Sequence, residues 1–278
     1  MNEFSILALS GGGTKGLLHL GALQELESRY GDLTKLFHGG IYGCSIGSVI
    51  GTAIAFGVNT RRISSLTELL NFNFIYNGLN LESLRKSGAR KGIFEMDTFD
   101  DTIIHCFNKW SIDIKNKKLS DSLIPLNIVS SNMTKGVPTI FKGDIPVLTA
   151  LRASCCIPGL FRPQVINNSV YIDGGYFTTV LMKLIPRELT NETLAIDIIH
   201  TNPRITPENL EKMSVTEYLY KFYKLSCLYE VGQYSHPNIV NVYHTSGSGF
   251  SDPKESEKND MIEAGRSFMR GFLSKRRL

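Results

Sequence analysis

No stretch of this 278-residue chain is both long and apolar enough to cross a membrane. The longest apolar run, roughly Ser48 to Val58, is interrupted by Gly51 and Gly57 and falls far short of the ~20 residues a spanning helix requires. The opening Met-Asn-Glu-Phe carries no basic cluster, and Ile6 to Leu9 is too short for a signal core. No secretion leader is therefore expected, and the expected compartment is the cytosol. Cysteine is sparse. Cys44, Cys106, Cys155, Cys156 and Cys227 form no C-x-x-C pair and no Cys/His group at zinc spacing, so reduced thiols are expected, not a disulfide frame or a zinc site. Without a leader, the N-x-[ST] matches at Asn132, Asn167 and Asn191 count as chance. Repeats, low-complexity segments and linkers are also lacking, so one domain over residues 1–278 is expected.

Charge and apolar content say more. At 42% hydrophobic and 20% charged, the chain can bury one large core, which excludes disordered, collagen-like and coiled-coil classes. The net charge of +4 is unevenly placed: Arg266, Arg270, Lys275, Arg276 and Arg277 face no acidic residue after Arg266, leaving a body of −1. Phe268, Met269, Phe272 and Leu273 interleave with these charges. Two readings follow: peripheral contact with an anionic membrane, or a terminal helix docked by its apolar face with a solvated basic fringe. No nucleic-acid partner is expected.

Along the chain, Phe4 to Leu9 reads as a buried strand ending in a glycine run, followed by a helical leucine pattern to about Ser28. A short strand at Ile41 and Tyr42 leads through a second glycine turn into an apolar helix from Ile46 to Phe56. Helices are expected at Arg61 to Asn71 and Asp97 to Asn108, around a basic stretch from Arg85 to Lys91. Strands are expected at Leu126 to Ser130, Val137 to Phe141, Val165 to Ile166 with Val170 to Ile172, Leu194 to Ile199, and Ile239 to Tyr243. Late helices read from Pro207 to Val231 and from Glu255 to Leu273. This alternation implies an α/β sandwich on a largely parallel sheet.

Three motifs carry chemistry. Gly43-Cys44-Ser45-Ile46-Gly47 fits G-x-S-x-G, a strand-to-helix elbow that exposes a serine hydroxyl; a Cβ at Gly43 or Gly47 would crowd such a turn. Ser45 would sit at a helix N-terminus, where developing negative charge is favoured. Gly11-Gly12-Gly13-Thr14-Lys15-Gly16 could be a dinucleotide fingerprint, but the second strand ends in Gly43-Cys44-Ser45 without the required acid. P-loop spacing is not met. The remaining reading is an oxyanion hole of bare backbone N–H groups, with Lys15 adding positive charge. Asp173-Gly174-Gly175, taken alone, reads as a hairpin turn, and the small-residue block Ala153 to Pro158 as loop and packing.

In order and spacing, the glycine run with Lys15, the elbow, the Ala153-Ser154 to Pro158 block and Asp173-Gly174-Gly175 resemble the patatin-like phospholipases, over residues 5 to about 180. The resemblance implies a three-layer α/β/α sandwich. It implies Ser45 as nucleophile, Asp173 as its partner in a two-residue dyad, and Gly11, Gly12 and Gly13 as oxyanion holders. The expected activity is hydrolysis of lipid acyl esters through an acyl-enzyme, with no metal or cofactor. One departure stands out: where the family often continues with Asn-Pro, this chain reads Tyr176-Phe177-Thr178-Thr179-Val180. An aspartate can serve as base only if it is partly desolvated, because its ordinary pKa of ~3.9 is too low. Two alternatives stay open. One is a conventional Ser-Asp-His hydrolase using Asp173 or Asp197 with His200, His236 or His244, since His19 and His105 lie on helices and His38 in a loop. The other is a catalytically silent lipid-binding scaffold.

Overall fold

The computed structural model describes residues 4–64, 87–88, 91–199, 205–213, 215–245 and 253–276. The expected helix from Arg61 is seen as Thr60–Ser64; its remainder to Asn71, most of the basic stretch 85–91, and His200 lie outside the described residues.

Eight strands build one sheet among the described residues. Strands β1 (Ile6–Leu9), β2 (Gly40–Cys44), β4 (Leu126–Asn132), β9 (Thr193–Ile199) and β10 (Ile239–Tyr243) run parallel in the order β10-β9-β1-β2-β4. β5 (Val137–Phe141) pairs antiparallel with one edge of β4. β7 (Gln164–Ile166) and β8 (Ser169–Asp173) form a hairpin turning at Asn167 and Asn168, both at positive φ, which is the geometry a type I′ turn demands. The remaining strands, β3 (Gly92–Phe94) and β6 (Gly159–Phe161), pair separately.

Alternation along the buried strands sends successive side chains to opposite faces. Leu7, Leu9, Leu194, Ile196, Val240 and Val242 face one core. That core is covered by α1 (Gly16–Tyr30), α3 (Ile46–Ala55), α5 (Asp97–Lys109), α6 (Val147–Cys155) and α9 (Glu255–Lys275); the short α2 (Leu33–Leu36) and α4 (Thr60–Ser64) flank it. Ile6, Ala8, Cys44, Val129 and Ala195 face a second core, closed by 3₁₀ turns over 181–184 and 187–192 and by Val231 of α8 (Val215–Gln233). Helices and turns on both faces make this the mixed α/β sandwich expected from the alternation. The single late helix expected from Pro207 is two, α7 (Pro207–Leu210) and α8: a Thr206–Asn209 capping box starts the first, and the chain turns before restarting.

The two ends of the described chain share a core. α9 crosses α1 where Gly21 faces the Ile262 carbonyl and Gly265 faces the Leu18 carbonyl, so closely that no Cβ fits at either place. Met261, Met269 and Leu273 are buried there. Arg266 donates to Gln24, Arg270 to Glu25, and Arg276 to the Pro237 carbonyl and Asn238 while lying over the rings of Phe4 and Phe272. Three of the five terminal charges are thus engaged within the molecule, the arrangement a docked terminal helix gives. No helix among the described residues is long and apolar enough to cross a membrane.

Candidate active site

The register around β4 builds the site. Along one edge of β4, Cys44 of β2 stands opposite Val129, and Asp173 of β8 stands opposite the next residue, Ser130. β5 occupies the other edge. β2 and β8 therefore approach from opposite directions and meet head-on, and the elbow after Cys44 abuts the turn after Asp173. A Cβ on Gly174 would stand 2.9 Å from Cys44 Sγ and collide with the Val129 carbonyl. Only glycine lets the two turns close on each other.

Ser45 sits at φ 52° and ψ −127° between β2 and α3. A non-glycine residue held there costs about 1–3 kcal/mol, and the neighbours that hold it are visible. Its N–H donates to Ser154 Oγ (2.9 Å), which donates in turn to the Val129 carbonyl (2.6 Å); its carbonyl accepts from Ser48 Oγ (2.6 Å). A Cβ on Gly43 would stand 2.5 Å from Ser48 Cα, and one on Gly47 would strike the Leu9 carbonyl. The elbow's glycines thus let α3 press onto β2 and onto the end of β1.

Asp173 is buried at 6% exposure, the desolvation that a catalytic aspartate requires. Its Oδ1 accepts from the Gly175 N–H (2.9 Å), and its own N–H donates to the Cys156 carbonyl (2.7 Å). In place of a hairpin, Gly174–Tyr176 forms a 3₁₀ turn. Ser131 Oγ fixes it, donating to the Gly174 carbonyl and accepting from the Phe177 N–H. The thiols beside it are poor nucleophiles: burial pushes the Cys155 thiol well up and the Cys156 thiol up to about 12, with the negative charge of Asp173 adding to both.

The glycine run comes to the same place. Gly11 packs so closely that a Cβ would stand 3.1 Å from Ser45 Cβ, and one on Gly12 would stand 2.5 Å from Ile198 Cδ1. Gly13 takes φ 59°. Lys15 is buried, and its ammonium donates to the His244 carbonyl (3.1 Å), tying the run to the end of β10.

The histidines are placed as follows. His236 precedes β10, at the amino edge of the parallel strands, with Nδ1 accepting from the Asn238 N–H; Ser45 lies at the carboxyl edge. His244 follows β10, three strands from β2 in the sheet order. His38 is exposed. His19 is fully buried, with its Nε2 at 2.9 Å from the Ser10 carbonyl and its Nδ1 without a partner. Burial lowers its pKa to about 4, against the Ser10 bond, which raises it. It therefore stays neutral and holds the residue just before the glycine run. Asp197, on β9, is fully buried with both carboxylate oxygens unpartnered; burial, and to a lesser degree the charge of Glu230, raise its pKa to about 7.

Sequence reading missed three contributors. Ser154 lies on a helix, not a loop, and bridges the Gly43–Gly47 elbow to β4; Ser131 and His19 secure the two neighbouring turns. A buried serine or histidine leaves no mark on hydrophobic periodicity, so only the motif context of Ser154 gave any signal. No group of acidic, His and Cys side chains suited to a metal ion occurs among the described residues.

Comparison with known proteins agrees with this architecture. The family model for patatin-like phospholipases matches residues 7–185. The uncharacterized protein YqhO of Bacillus subtilis is 24% identical over 209 residues, 68% of this chain and 69% of that protein. The cUMP-AMP-activated phospholipase of Escherichia coli is 28% identical over 186 residues, covering 63% of this chain and 55% of the relative. Several further relatives are matched over only 54% of their length, so the chain spans little more than half of most of these proteins. In fold, it superposes on VipD from Legionella pneumophila with a TM-score of 0.59 at 17% identity, over 98% of this chain and 67% of that one. With the family model covering most of the chain, and the elbow, the glycine run and the aspartate turn assembled at one edge of the sheet, the protein belongs to the patatin-like phospholipase family.

Proposed function

We propose that the protein cleaves acyl ester bonds of phospholipids or other acylglycerols with a Ser45–Asp173 dyad. The observation that carries this reading is the head-on meeting of β2 and β8 on β4, which sets a strained, buried serine beside a buried aspartate. In the proposed cycle, Asp173 takes the Ser45 hydroxyl proton as Oγ bonds to the ester carbonyl carbon. The carbonyl oxygen becomes an oxyanion facing the N–H groups of Gly11 to Gly13, where each donor in such a site is typically worth about 100 to 1000-fold in rate. Collapse breaks the ester C–O bond, the alcohol leaves with the proton from Asp173, and an acyl-Ser45 remains. Water, deprotonated by Asp173, then adds to the acyl carbon; the bond from that carbon to Ser45 Oγ breaks, Asp173 returns the proton to Oγ, and the fatty acid leaves. His236, on the far edge of the sheet, is poorly placed as a base. The wild-type chain should turn over both a short-chain nitrophenyl ester and labelled phosphatidylcholine. Turnover of neither would favour the silent scaffold.

A further inference from the structure

The segment that follows Asp173 is held by a residue beyond the family-matched part of the chain. The Glu230 carboxylate on α8 gathers four donors: Thr178 Oγ1 (3.0 Å) and Lys183 Nζ (3.0 Å) on Oε1, and the Thr179 N–H (2.6 Å) and Thr179 Oγ1 (2.8 Å) on Oε2. Burial alone would raise its pKa, but the hydrogen bonds from Thr179, Lys183 and Thr178 outweigh that and hold the carboxyl below its usual range. It is therefore an anion, which strengthens each bond. α8 also lies against the 3₁₀ turn 174–176. The turn is thus fixed twice, by Ser131 from β4 within the sheet and by Glu230 from outside it. Within Tyr176 to Val180, the stretch that departs from the family's Asn-Pro pattern, Thr178 and Thr179 are bound to a carboxylate.

We propose that Glu230 is a positioning residue for Asp173: it clamps the exit of the 174–177 turn and thereby sets the aspartate's place beside Ser45. This rests on the dyad reading above. A displacement of about 1 Å at a reacting group can cost on the order of 100-fold in rate, so removing four bonds at the exit of the turn should be felt at Ser45.

The test uses the full chain with Glu230→Ala, Glu230→Gln and a control, Thr193→Ala, which loses the partly buried bond from Thr193 Oγ1 to the Leu189 carbonyl (2.8 Å) away from the turn. On a soluble nitrophenyl ester, below every variant's unfolding midpoint, Glu230→Ala should lower kcat about 10 to 100-fold with KM changed less than about threefold, and should shift the acid limb of the kcat–pH profile. Glu230→Gln keeps one acceptor oxygen and should fall between it and wild type, and it stands in should the alanine variant fail to fold. Thr193→Ala should leave kcat and the profile unchanged. Amide exchange should accelerate in Glu230→Ala at residues 174–180 and stay unchanged in β1 and β9. Wild-type kcat, pH profile and exchange in both Glu230 variants would overturn the proposal, as would an equal kcat loss in the Thr193 control. If the wild type turns over no ester, the dyad reading falls, and unaltered exchange at 174–180 would overturn the clamp independently.

Discussion

Ser45→Ala is expected to lower kcat for nitrophenyl ester hydrolysis by about 10⁴-fold or more, equivalent to roughly 5.5 kcal/mol of transition-state stabilisation. The substitution removes one atom from a side chain only 8% exposed and leaves the backbone bonds to Ser154 and Ser48 intact, so the unfolding midpoint should change little. Asp173→Asn should cost a comparable factor, because an amide cannot accept the hydroxyl proton. Groups that act as one unit lose activity non-additively, so the double variant should be no slower than either single one. A further large loss in the double variant would mean that the two residues act separately.

The second large effect is on stability against pH, from two buried groups outside the dyad. Burial, and to a lesser degree the charge of Glu230, hold the Asp197 carboxyl up at about 7 in the folded protein, against its ordinary 3.8. Between these values the folded protein keeps a proton that the unfolded chain has released. Its contribution is therefore present at low pH and lost as pH rises from about 4 to about 7, by up to roughly 4 kcal/mol. His19 works in the opposite direction. Its folded pKa of about 4 lies below the ordinary 6.5, so its contribution is present above about 6.5 and lost as pH falls towards 4, by up to roughly 3 kcal/mol. The two slopes largely cancel over pH 4 to 6.5 in the wild type. Urea unfolding across this range should show Asp197→Asn gaining stability relative to wild type as pH rises, and His19→Gln losing it. If both variants track the wild-type profile, the two groups do not titrate as buried side chains.

How much of this was readable beforehand depends on what each feature leaves in the sequence. The elbow, the glycine run and the Asp-Gly-Gly turn were legible because a strand-to-helix turn with close backbone approach forces glycine at fixed offsets, as Gly43, Gly47 and Gly174 show. Strands β4, β5 and β10 were legible from their apolar pattern. The end-to-end meeting of β2 and β8 on β4 was not, because register between segments 129 residues apart is decided by tertiary pairing. A partner of Lys15 was equally hidden: its ammonium donates to a carbonyl 229 positions away. Glu230 looks like any polar residue on an amphipathic helix until Thr178 and Thr179 are seen against it.

The dyad itself is tested most directly by covalent labelling of the intact protein with a fluorophosphonate, followed by peptide mass analysis. The expected result is a single adduct on Ser45 in the wild type, lost in Ser45→Ala and slowed by orders of magnitude in Asp173→Asn. An adduct on another residue, or labelling of Ser45 at the wild-type rate in Asp173→Asn, would contradict a Ser45 nucleophile activated by Asp173.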